Sequence, residues 1–207
     1  MQTYVDLGES FIFFIMLIAS IVAVAVFVER LIVYRKTISK ESESFLLSLV
    51  ELLRKKDIAG AKSLAESSQD TVFKRFTSFT LERLEENPEG IPVLMEGKVI
   101  AEKLELEKRL SILNTLGNNA PFIGLLGTVL GVIKAFYSLG TLGNTGSEVV
   151  MRSISTALLA TAAGLGIAIP VVMANNFFTR KMKIILGNLE ILSREFIGNF
   201  LSQSRKN

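Results

Sequence analysis

Phe11 to Val28 runs for eighteen residues without a charge, and Ser20 is its only hydroxyl. As a helix it is about 27 Å long, close to the thickness of a bilayer's hydrocarbon core. Helices buried in soluble proteins rarely go so far uncharged, so this run fixes a membrane setting for the chain. Two further apolar runs follow, one from after Asn114 to about Leu139 and one from Ile154 to Ala174. Both contain residues that weaken helices in water, among them Pro121, Gly124, Gly164, Gly166 and Pro170. In lipid each unpaired backbone group costs several kcal/mol, so helix persists there despite them.

The first run competes with a cleavable signal sequence. Against that reading, residues 1–10 carry Asp6 and Glu9 but no Lys or Arg, and the run ends in Glu29-Arg30 instead of a small-residue cleavage site.

Basic residues flank the runs asymmetrically. Arg30, Arg35, Lys36 and Lys40 follow the first, Lys103, Lys108 and Arg109 precede the second, and Arg180, Lys181 and Lys183 follow the third. The other flanks are nearly bare, with Arg152 between the second and third runs and Lys134 placed to snorkel from a helix end. Positive flanks lie on the cytoplasmic side, so the N-terminus is expected outside and the C-terminus inside.

Hydrophobic residues make up 49% of the chain and the mean hydropathy is +0.44, an excess that the three runs account for. There is no cysteine and no histidine, which excludes disulfides, Cys/His metal sites, thiol nucleophiles and histidine acid/base chemistry. The composition therefore argues against an enzyme and calls for no cofactor. A net charge of +3 is small and is explained by topology, so nucleic acid is not an expected partner.

Between the first two runs, residues 29–114 balance fifteen basic against fifteen acidic side chains, as a soluble helical domain would. Phe45, Leu46, Leu49 and Leu53, and then Phe73, Phe76, Phe79 and Leu84, recur at helical spacing and are expected core positions. Asp57 reads as an N-cap, and Asn87-Pro88-Glu89-Gly90 as a turn. From about Val93 to Gly117 the pattern reads as one long helix that continues into the second run. After the third run, Ile184, Ile185, Leu189, Leu192, Phe196 and Phe200 form a stripe that either packs within the chain or takes a partner helix.

Small residues form a stripe on each of the last two runs. Gly117, Ala120, Gly124, Thr128, Gly131 and Ala135 share one face, and Ala157, Thr161, Gly164 and Ala168 share another. Such faces let helix backbones approach closely, and a tightly packed helix pair accounts for the glycines and alanines. Thr128 and Thr161 lie near mid-membrane, where a hydroxyl either bonds back to its own helix or lines a watery passage. No Asp, Glu, Lys or Arg lies in the interior of any run, so a proton crossing here needs a titratable group from another chain.

The segments Asn119-Ala120-Pro121-Phe122-Ile123-Gly124-Leu125-Leu126-Gly127-Thr128-Val129-Leu130-Gly131-Val132 and Ala157-Leu158-Leu159-Ala160-Thr161-Ala162-Ala163-Gly164-Leu165-Gly166-Ile167-Ala168-Ile169-Pro170 resemble the ExbB/TolQ family, with MotA a more distant relative. That resemblance implies an all-α membrane protein with three transmembrane helices, two of them extended into the cytoplasm, and a helical cytoplasmic domain. The expected layout is a periplasmic N-terminus at 1–10, spans at 11–28, 115–139 and 154–174, a cytoplasmic domain at 29–114, a periplasmic loop at 140–153 and a cytoplasmic helix at 175–207.

The resemblance also implies a function: the pore-forming subunit of a proton-driven motor in a bacterial inner membrane, acting as a homopentamer. Its pore would hold single-span ExbD- or TolR-like subunits carrying a membrane Asp, and a TonB- or TolA-like protein would receive the work. Thr128 and Thr161 match the family's pore threonines. Gly117, Ala120, Pro121, Gly124, Gly127, Gly131, Ala157, Gly164, Ala168 and Pro170 would pack the pore helices and give the ring low relief. One position departs, since Thr156 stands where well-known members carry a glutamate five residues before the third-span threonine. A non-conducting scaffold that positions a single-span partner is the alternative this departure keeps open.

Overall fold

The computed structural model describes residues 2–86, 89–142 and 147–201. Among these described residues seven α-helices follow in order: α1 Gln2–Thr37, α2 Lys40–Arg54, α3 Ile58–Ser67, α4 Val72–Glu86, α5 Ile91–Glu107, α6 Leu110–Leu142 and α7 Ser147–Phe196. A π-helical turn at Ile197–Leu201 comes last. Among the described residues there is no strand, and three helices are long and apolar enough to cross a membrane. The fold is all-α, as the three long apolar runs led one to expect.

The chain forms two compact units. The first holds Met1–Glu29 and Arg109–Phe177, which is α6 with the opening part of α1 and of α7. Its buried side chains are mostly small, and one cluster joins Ile12, Met16 and Ala160 with Phe13, Ile123, Leu130, Ala163 and Ile167 packed around them. Large apolar side chains point outward instead, among them Phe14, Ile21, Phe122, Phe136 and Leu158. A soluble bundle would hide these residues, whereas lipid accepts them at no cost.

The second unit, Arg30–Lys108 and Phe178–Asn207, is built like a soluble domain. Phe45, Leu49, Leu53, Phe73 and Phe76 are buried, while Leu46, Phe79 and Leu84 are partly covered. Ser39 caps α2 by accepting from Ser42 N at 3.2 Å, and Asp57 caps α3 by accepting from Gly60 N at 2.8 Å. Between these helices Lys56 takes the left-handed conformation, with φ 59°. The C-terminal stripe packs within the unit at Ile185, Leu189, Leu192 and Phe196, and leaves Ile184 about half exposed. Phe178 lies against Tyr34 with ring centroids 5.3 Å apart. Of the turn read at 87–90, Asn87 and Pro88 lie outside the described residues, and Gly90 precedes α5 with Pro92 in its first turn.

The expected continuous helix from Val93 through Gly117 is not what forms. The helix stops at Glu107, Lys108 leaves helical geometry with ψ 131°, and Arg109 adopts φ 65° before α6 begins at Leu110. Left-handed geometry costs an L-residue about 1–2 kcal/mol. Arg109 Nη1 lies 2.7 Å from Glu29 Oε2, a partly exposed ion pair that offsets a part of that cost.

Inside the second unit one carboxylate is deeply placed. Glu102 on α5 has a side chain only 5% exposed, with Arg75 Nη2 2.7 Å from Oε2 and Lys98 Nζ 2.9 Å from Oε1. Burial pushes its carboxyl up. The hydrogen bonds from Arg75 and then Lys98 outweigh burial and hold it below the ordinary 4.5.

Candidate functional site

The antiparallel helices α6 and α7 meet on their small residues. A methyl group at Gly124 would stand 2.8 Å from Ala160 O and 3.1 Å from Thr161 Cα, and one at Gly164 would stand 2.7 Å from Ala120 O. At Gly131 it would lie 2.5 Å from Ala157 Cβ, and at Gly117 it would lie 2.7 Å from Val172 Cγ2. No side chain fits at these distances, so the two backbones are in direct contact along the seam. At Gly127 the neighbours are Ala160 Cβ at 2.6 Å and Ile12 Cγ2 at 3.5 Å, which brings α1 against the same seam. Ala120, Ala135, Ala157, Ala160 and Ala168 are all buried.

The two stripes are therefore covered by each other within a single chain. The packed pair accounts for Gly117, Ala120, Gly124, Gly131, Ala157, Gly164 and Ala168, which leaves these residues little surface for a central partner. Pro121 is half-buried on α6 and Pro170 is exposed on α7. Each proline lacks an amide hydrogen, so the carbonyls of Gly117 and Gly166 lose their usual helical partner.

The three threonines differ in what they bond. Thr161 Oγ1 donates across the seam to Gly124 O at 3.2 Å. Thr128, one turn beyond Gly124 on α6, donates to its own helix at Leu125 O, 2.6 Å away. Thr156 does the same to Arg152 O at 3.1 Å. The structure thus joins Thr161 to α6, while Thr128 and Thr156 stay on their own helices with exposed hydroxyls. Each exposed hydroxyl still offers acceptor lone pairs.

Charges in this unit gather near the helix ends. Lys134 Nζ lies 2.5 Å from Asp6 Oδ1 and 3.0 Å from Glu9 Oε2, with side-chain exposures of 22% for Lys134 and 12% for Glu9. The lysine does not snorkel to solvent but is held by two carboxylates on α1. Sequence reading missed this pair although a signal was present: Asp6 and Glu9 stand three residues apart on one helix face, and Lys134 is the only charge within the second run.

Residues 65–191 match the MotA/TolQ/ExbB proton channel family, a stretch that contains all of α6 and nearly all of α7. Among individual proteins, the biopolymer transport protein ExbB of Helicobacter pylori strain J99 is 43% identical over 89 residues, covering 43% of this chain and 61% of the relative. ExbB of Aquifex aeolicus is 44% identical over 91 residues, covering 44% and 62%. The Tol-Pal system protein TolQ of Pseudomonas aeruginosa is 33% identical over 147 residues, covering 67% and 63%. The chain thus spans about 61% of the first of these relatives.

Proposed function

The chain belongs to the MotA/TolQ/ExbB proton channel family, and from that premise we propose that it is the pore-forming subunit of an inner-membrane motor driven by the proton motive force. In this reading, copies of the chain, five in the family's pattern, surround a single-span ExbD- or TolR-like partner. That partner brings a membrane Asp, and a TonB- or TolA-like protein carries the work toward the outer membrane. The N-terminus lies in the periplasm and the C-terminus in the cytoplasm, as the basic flanks favour.

The observation that carries the reading is a bundle whose middle offers hydroxyls and no titratable side chain. Thr128, Thr156 and Thr161 can pass a proton or order water for the partner's carboxylate, and none of them can hold the proton itself. Among the charges of this unit, Lys134 is tied to Asp6 and Glu9 and Arg109 to Glu29 in ion pairs, and Glu148 and Arg152 lie near the start of α7. A membrane potential of about 100 mV supplies about 2.3 kcal/mol per proton, so a fixed charge midway would trap the moving one. Hydroxyls and water perturb it less.

The test is proton flux in proteoliposomes that hold the chain with its single-span partner. Flux should vanish when the partner's Asp is replaced by Asn. Flux untouched by that change contradicts the channel.

The second reading is a non-conducting scaffold for the partner. It is favoured by Thr156 at the glutamate position and by the two hydroxyls that bond their own helices. Partner assembly without Asp-dependent flux selects it.

A further inference from the structure

The second unit contains a cleft of about 450 Å³ whose walls come from α1, α4 and α5. Four basic residues line it: Arg30 and Lys36 from α1, Arg75 from α4 and Lys98 from α5. Three acidic residues share the lining, Asp70, Glu102 and Glu105. Their charges are largely spent. Both oxygens of Glu102 are engaged by Arg75 and Lys98, and Glu105 Oε2 lies 3.6 Å from Lys108 Nζ. Asp70, 66% exposed, reaches only one Arg75 nitrogen, at 3.5 Å.

Donors remain after this internal pairing. An arginine carries five N–H groups and a lysine three, so Arg75 and Lys98 keep hydrogens beyond those that Glu102 and Asp70 use. Lys36 adds an exposed ammonium at the edge. The cleft therefore suits a compact group with several acceptor oxygens and negative charge, which is the chemistry of a phosphate.

Depth along α1 selects where that phosphate comes from. Arg30 stands two residues past Val28, the last residue of the apolar run, or about 3 Å by helical rise. Lys36 stands about 12 Å past it. The headgroup layer of one leaflet is roughly 5–7 Å thick, so this wall of the cleft passes through the phosphate level. We propose that the cleft binds the headgroup phosphate of an anionic phospholipid from the leaflet that α1 enters at Arg30.

The experiment is native mass spectrometry of the full chain titrated with phosphatidylglycerol or phosphatidylcholine, alongside Lys36→Gln, Lys36→Glu and Lys183→Gln. Lys36 is exposed and lies outside the Glu102 cluster, so these variants keep the fold. Lys183 is an exposed basic residue near the third run that does not line the cleft. Phosphatidylglycerol should be retained in preference to phosphatidylcholine, and Lys36→Gln should weaken it about five-fold, as one basic residue near an anionic headgroup does. Lys36→Glu should weaken it further, and Lys183→Gln should leave it unchanged. Equal retention of the two lipids, or equal loss in Lys36→Gln and Lys183→Gln, overturns the proposal in favour of general surface attraction. Displacement of the lipid by millimolar glycerol phosphate overturns it in favour of a soluble phosphate ligand.

Discussion

Thr161 Oγ1 donates to the main-chain oxygen of Gly124 at 3.2 Å, so one of the two threonines in the small-residue stripes ties α7 to α6. Hydrogen bonds between membrane helices contribute about 0.6 kcal/mol on average and rarely above about 1.7. Thr161→Val should therefore lower stability by no more than about 2 kcal/mol and leave the complex assembled. Under the channel reading it should also abolish proton-driven flux, and Thr161→Ser should restore it. Thermal unfolding and proteoliposome flux, measured on the same preparations, separate the two contributions. Normal flux in Thr161→Val and Thr128→Val alike would leave these residues only a packing role.

Gly124→Ala and Gly97→Ala make opposite predictions from the same chemical change. At Gly124 the methyl strikes Ala160 O at 2.8 Å, a backbone atom that can yield only if the helices part. The expected cost is about 1–3 kcal/mol. At Gly97, inside α5, a methyl meets nothing within 4 Å, and alanine favours helix by about 0.5–1 kcal/mol. Melting temperatures should fall in the first variant and rise in the second.

Glu102 predicts a pH effect. Its folded pKa lies below its unfolded value of 4.5, so its contribution is complete above pH 4.5 and is lost as pH falls through the lower folded value. Glu102→Gln should cost about 1–3 kcal/mol at neutral pH, because Arg75 and Lys98 lose their charged acceptor. Stability measured against pH should then drop less steeply below pH 4.5 in the variant than in the parent chain. Parallel acid limbs would show that the carboxylate is not what Arg75 and Lys98 stabilise.

Lys134→Met removes the ammonium that Asp6 and Glu9 share. Charge-assisted hydrogen bonds contribute about 1.5–3 kcal/mol, so the variant should lose stability on that scale, and Lys134→Arg should lose less. Hydrogen exchange should quicken in the first turns of α1, with the second unit unaffected. Unchanged protection there would mean that Ile12 and Met16 hold α1 without the ion pair.

The three spans were legible because a run without charge has few meanings in a chain of this composition. The seam was legible in part. Glycine and alanine at three- and four-residue steps announce close backbone approach, but periodicity gives one face per helix and does not say whether two such faces meet each other or a third body. The break before Leu110 was hidden, since left-handed geometry is usually signalled by glycine or asparagine, and here an arginine adopts it beside Glu29. The Glu102 cluster was hidden for another reason. In a segment with equal numbers of acids and bases, no spacing distinguishes Glu102, which the fold buries, from its exposed neighbours.

Contact between the backbones of α6 and α7 also bears on electrical insulation. A water molecule needs about 10–15 Å³ of free volume and two or more polar partners. Where a methyl group at Gly124, Gly131 or Gly164 would already overlap its neighbours, no water fits. A chain of waters therefore cannot thread between these helices, and ions have no short circuit along that line. Glycine in this bundle works as a gasket, closing the leak that would let a membrane potential dissipate without work.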